Sequence, residues 1–185
     1  MKAPLFQWLA GQMRAGKRWV ILDLGPANAA TIRYLNEFRC RLDIADMPAW
    51  LHRLSSDDED TDLRQRAESI LPVRGEEPTD IVFSWDLFNY LDRPALKVLA
   101  ERIAARARSG TFVHSLIVYS SSRMPVSPSV YYPGEDDSLN TIPVTGEERD
   151  APRYTPDDLA RCMPAYRVER AMLLNNGMQE FLFRL

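Results

Sequence analysis

Cysteine, histidine and glycine are scarce in this 185-residue chain, with two, two and eight copies, and each shortage narrows what the chain can be. Cys40 and Cys162 stand far apart with no zinc-type spacing, which predicts two free thiols and no metal site. Long apolar runs are missing as well. Gln7, Gln12, Arg14 and Lys17 interrupt residues 1–17, so neither a membrane span nor a signal peptide is expected, and the expected location is cytoplasmic. There is no excess of positive charge: the formal net charge is -3 and the pI about 5.5, which argues against a general phosphate-binding surface and a nucleic-acid partner. The length supports one substantial core, so residues 1–185 read as a single domain without internal repeats.

What is present is organised around residues 19–35. Residues 19–24, Trp-Val-Ile-Leu-Asp-Leu, form a run of β-formers broken only by Asp23, the pattern of a strand buried on both faces. Gly25 then allows a sharp turn and close approach of a ligand to the backbone. Asn28 or Thr31 can cap a following helix whose apolar positions Ile32, Leu35 and Phe38 share one face. Ahead of this unit, Leu5, Trp8, Leu9 and Met13 mark an N-terminal helix within residues 1–18, stopped by Gly16.

Further on, strand and helix signals alternate. Residues 39–46 read as a second strand and 47–54 as a helix with Pro48 in its first turn. The acidic run 55–62 has neither the glycine nor the distant glutamate of a calcium loop and reads as a solvated loop. A helix over 61–71 and a short third strand at 71–73 come next, then a strand over 80–86 introduced by a turn at 75–78. Asp92 caps a long helix predicted to run to Arg108, with Gly110 as its stop and Arg102, Arg106 and Arg108 on a solvated face; a strand over 111–119 follows. Residues 120–153 are rich in Pro, Ser, Gly and acids and keep no period, which predicts a long loop or lid carrying Arg123, Tyr131 and Tyr132. Thr155 caps a last helix, and strands over 166–174 and 178–185 flank the hairpin signal Asn175-Asn176-Gly177. The expected fold is an α/β, Rossmann-like three-layer sandwich with a mostly parallel seven-stranded sheet and an antiparallel last strand.

With these elements in this order, nearly the whole chain resembles the class I S-adenosylmethionine-dependent methyltransferases. In that family an Asp-x-Gly-x-Gly-x-Gly turn cradles the methionine part of the cofactor, and Asp23-Leu-Gly25-Pro-Ala27-Asn28-Ala29 stands in its place. Only the first glycine is kept. The resemblance implies S-adenosylmethionine as cofactor, with Asp23, Gly25, Ala27, Asn28, Asp46 and Asp86 as its binding residues. Asp46, which closes the second strand twenty-one positions past Gly25, would bind the ribose, with Asp43 as the fallback. It also implies that Asp86, Asn89 and Tyr90 line the methyl-transfer site. The partner would be a small-molecule acceptor, methylated on O or N, and a homodimer is compatible with the pattern. Ala27 and Ala29 keep a rival open, a catalytically degenerate binding or regulatory module with an occluded turn.

Several of these residues have a second reading. Asp23 in mid-strand should bind backbone N–H groups of the turn or the cofactor's amino group, because a buried carboxylate is costly otherwise. Asp46 can equally be a helix cap ahead of Pro48, Asp86 a cap for the turn after its strand, and Asn89 and Tyr90 can pack the next helix. His114 is placed as a general base by its chemistry but as a hydrogen-bonded core residue by its position in a strand.

Overall fold

The computed structural model describes residues 1–54, 62–73, 77–142 and 144–185. The acidic run, apart from Asp62, and the first half of the predicted turn at 75–78 lie outside the described residues. In chain order the elements are α1 (Pro4–Arg14), β1 (Trp19–Asp23), α2 (Ala29–Leu35), β2 (Cys40–Ile44), a 3₁₀ helix (Met47–Leu54) and α3 (Leu63–Ile70). There follow β3 (Thr79–Trp85), a 3₁₀ turn (Leu87–Tyr90), α4 (Arg93–Arg106) and β4 (Ala107–Val118). The remainder is β5 (Arg123–Pro125), β6 (Val130–Pro133), β7 (Leu139–Ile142), β8 (Glu148–Asp150), α5 (Pro156–Cys162), β9 (Arg167–Leu173) and β10 (Met178–Arg184).

Six strands make the main sheet in the order β2-β1-β3-β4-β10-β9. The first four are parallel, and β10 runs antiparallel to both β4 and β9. Alternate side chains feed two cores. On one face Leu22, Val82, Val113 and Ile117 meet α3, α4 and α5; on the other Ile21, Phe83 and Leu116 meet α1 and α2. This is the expected three-layer sandwich.

The differences have physical causes. Among the described residues the sheet has six strands rather than seven, because Leu71 and Pro72 take no ladder and instead offer their carbonyls to Arg102 at 3.2 Å and Arg106 at 2.6 Å. Those two arginines therefore do not sit on a solvated face; Arg106 also reaches Asp43 at 3.2 Å. Helix α4 stops at Arg106, and Gly110, at φ 89°, lies inside β4 rather than ending a helix. The long loop is not structureless. It folds into two small antiparallel pairs, β5 with β8 and β6 with β7, too short for their alternation to register as a period.

One buried polar pair joins the N-terminal helix to the sheet. Glu180 on β10 accepts the backbone N–H groups of Leu5 and Phe6 at 2.9 and 2.8 Å and lies 2.8 Å from His114 Nε2. His114 is thus a hydrogen-bonded core residue, enclosed by Phe6, Phe83 and Trp85. Burial alone would raise the Glu180 carboxyl, but His114 and the two N–H groups outweigh it and hold it below the usual carboxylate range.

Candidate functional site

The parallel strands end together at one edge, and the residues predicted for the site gather there. Open parallel sheets bind ligands at this edge, where neighbouring connections leave on opposite faces. Here that point lies between β1 and β3: β1 leads to α2 on one face, while the segment after β3 leads to α4 on the other. Asp23 ends β1 and is buried. Its Oδ1 accepts the Gly25 N–H at 2.8 Å, so the carboxylate orders the turn as expected. Asn28 caps α2, accepting the N–H groups of Ala30 and Thr31 at 2.8 and 3.3 Å, while Ala27 is exposed. Asp46 is brought alongside because Ala45 and Met47 bond to the carbonyls of Asp23 and Leu24, at 2.9 and 3.0 Å. It adopts φ 43°, which aspartate tolerates better than most residues.

Trp85 decides the geometry of this edge. Its indole Nε1 donates to Asp23 Oδ1 at 2.6 Å, and a Cβ placed on Gly25 would lie 2.9 Å from both Nε1 and Cδ1 of the ring. The space through which a ligand would approach the glycine is therefore filled by this chain's own side chain. The indole stacks on Phe83 at 5.1 Å and on Tyr131, from β6, at 6.0 Å, leaving Trp85 4% exposed. Trp85 also has φ 50°, a left-handed conformation that costs a bulky residue of the order of 1–3 kcal/mol. Even a methyl group does not fit on Gly25 while the indole is there.

The next residue is a buried acid. Asp86 accepts the Ser129 N–H through Oδ2 at 3.1 Å, whereas its Oδ1 is buried with no hydrogen-bond partner among the described residues. Burial pushes its carboxyl up to about 7, opposed by backbone N–H groups, that of Ser129 first, and by the Tyr131 phenol. Burial likewise raises Asp23 to about 6, opposed by Trp85 and Gly25. Tyr90 lies near enough for Asp86 and Arg149 to act on its phenol in opposite senses; burial and then Asp86 raise it, and Arg149 lowers it. Asn89 is different. Its amide donates to the carbonyls of Asp86 and Leu116, each at 2.8 Å, and accepts the Val118 N–H at 2.9 Å, so it braces the turn. With its polar atoms engaged by backbone and 1% exposure, it lies beneath the edge rather than in open space.

Asp23, Gly25, Asp46, Asp86 and Tyr90 are thus brought to one edge, whereas Asn89 lies beneath it and Ala27 at its rim. Sequence reasoning missed the role of Trp85. The available signal was a bulky indole at the end of a buried strand facing a turn kept small by Gly25, Ala27 and Ala29. Among the described residues no group of three or more His, Cys, Asp or Glu side chains could hold a metal ion, and no helix is long and apolar enough to cross a membrane.

Strand order, the reversed β10 and the Asp23–Gly25 turn together define the class I S-adenosylmethionine-dependent methyltransferase fold. The solved structures it is similar to are of that kind. One is the 1,6-didemethyltoxoflavin-N1-methyltransferase of Burkholderia thailandensis, with 1,6-didemethyltoxoflavin and S-adenosylhomocysteine bound; its TM-score is 0.56 at 15% identity over 98% of this chain and 76% of that one. Another is an S-adenosylmethionine-dependent methyltransferase from Clostridium acetobutylicum, at TM-score 0.57 and 12% identity over 96% and 88% of the two chains. The glycopeptide N-methyltransferase MtfA with sinefungin gives TM-score 0.50 and 12% identity over 100% and 99%. No family model matches the chain, and no curated protein matches its sequence.

Proposed function

We propose that this chain is an S-adenosylmethionine-dependent methyltransferase that acts on an O or N of a small or medium-sized acceptor, and that Trp85 must leave Gly25 before the cofactor can be seated. The supporting observation is where the fold concentrates backbone strain and buried charge. A left-handed tryptophan and a buried carboxylate oxygen without a partner are consecutive residues, and a second buried carboxylate contacts the first of them. Packing gives no reason to keep such features unless the edge has work that needs them. With the edge opened, Asp23 and Gly25 would hold the cofactor's amino-acid part and Asp46 its ribose. Asp86, protonating near neutrality, would take a proton from the acceptor. The likeness to methyltransferases carrying S-adenosylhomocysteine or sinefungin supports this choice of cofactor. A cytoplasmic location, a small-molecule partner and a single domain over 1–185 belong to the same reading.

A second reading is favoured by one specific observation. Because the indole already satisfies Asp23 and covers Gly25, the chain could be a degenerate module that keeps the scaffold and binds something else. Calorimetric titration of the intact chain with S-adenosylhomocysteine separates the two. Saturable heat that is lost in Asp23→Ala supports the methyltransferase, and no heat at millimolar ligand for the wild type and for a Trp85→Ala variant supports the module.

A further inference from the structure

We propose that a cavity of about 410 Å³ beside the proposed site, walled by Arg149 and Tyr90, binds a small molecule carrying one carboxylate on an apolar body. Its volume falls in the range of small-molecule sites. Leu51, Leu54 and Val126 supply apolar wall, and His52 adds ring nitrogens. Val126 is 42% exposed, an apolar side chain left at the rim.

The charge of the cavity follows from strand alternation. On β8, Glu148 and Asp150 point to one face and both are engaged by Arg123, at 3.7 and 2.8 Å. Arg149 lies between them and so faces the other way, into the cavity, where its guanidinium makes no ion pair with any described residue. The carboxylate on the same wall, Asp92, accepts the Ala95 N–H at 2.8 Å as the cap of α4. Tyr90 places a phenol with no hydrogen-bond partner among the described residues against the same space, within electrostatic reach of Arg149 and Asp86. A planar guanidinium with a phenol beside it matches a carboxylate, which accepts two parallel N–H bonds and a third from the O–H. Under the proposed function, on which only this clause rests, the ligand is the methyl acceptor, since Tyr90 links the cavity to Asp86.

The test is calorimetric titration of the intact chain with phenylacetate and, separately, phenylacetamide, with no adenosyl compound present. Phenylacetate should saturate and the amide should bind about tenfold more weakly or worse, since it cannot form the charge-assisted pair. Arg149→Met should lose about tenfold or more, Arg149→Lys less than that, and Arg33→Met, on the exposed side of α2, nothing. Unchanged far-UV circular dichroism shows that the variants are folded. Equal binding of acid and amide, unaltered binding by Arg149→Met, or no saturation at about 10 mM, weaker than ordinary small-ligand sites, would each overturn the proposal. Because the adenosyl ligand is omitted, failure here leaves the methyltransferase reading standing, and failure of S-adenosylhomocysteine to bind leaves this cavity standing.

Discussion

The indole N–H of Trp85 donates to the carboxylate of Asp23 at 2.6 Å, sharing Oδ1 with the Gly25 N–H. One oxygen thus fixes both the turn and the side chain that covers it. The cover and the seat stand or fall together.

That coupling is measurable by a double-mutant cycle. A methyl group on Gly25 would meet the ring at 2.9 Å, so Gly25→Ala should destabilise the wild type by about 1–3 kcal/mol, the usual range for overpacking. In a Trp85→Ala background the same change should cost well under about 1 kcal/mol, giving an interaction energy of about 1 kcal/mol or more. Urea unfolding of the four proteins measures it. Additive effects would show that indole and turn are not in contact.

Asp86 gives the fold an unusual pH dependence. Its folded-state value of about 7 lies above the unfolded value, so the native state binds the extra proton. The sign follows: stability is greatest at acid pH, falls as pH rises from about 4 to 7, and is level above that for this group. Asp23 adds a fall of the same sign, complete by about pH 6. Asp86→Asn should therefore stabilise the protein at pH 8 by of the order of 2–4 kcal/mol and have little effect near pH 4. Chemical denaturation at the two pH values checks this, and a pH-independent difference would contradict it.

Glu180 acts in the opposite sense. Held below its usual range, it stabilises the fold fully above about pH 4.3 and loses that contribution as the pH falls further. Glu180→Ala leaves His114 and the N–H groups of Leu5 and Phe6 without their acceptor and should cost about 3–5 kcal/mol. Because those groups dock α1, limited proteolysis should cut first within residues 1–18. A variant with wild-type melting and uncut α1 would refute the docking role.

Much of the fold was readable because its signals are local. The buried run 19–24, the Asn28 and Thr155 caps and the Asn176-Gly177 turn each declare an element within a few residues. The third strand was misread because a short apolar segment looks the same whether it pairs in a sheet or feeds its carbonyls to two arginines more than thirty residues away. The candidate site was legible as carboxylates that the fold brings to one edge, but not as a closed set. Nothing near Trp85 in sequence says that its ring turns back onto Gly25, sixty residues earlier, or that Tyr131 stacks over it. Arg149 was invisible for a similar reason: its isolation depends on Arg123 claiming both flanking acids.

The most direct test compares S-adenosylhomocysteine binding by the wild type and Trp85→Ala, read by calorimetry at constant pH and salt. Removing a buried tryptophan should destabilise the chain by about 3–5 kcal/mol, so folding is verified first. If the indole is a cover over a working seat, the folded variant binds at least about tenfold more tightly than the wild type, because the ligand no longer has to displace the ring. Adding Asp23→Ala to the variant abolishes that binding. A folded Trp85→Ala protein that takes no S-adenosylhomocysteine at millimolar concentration would contradict the central claim.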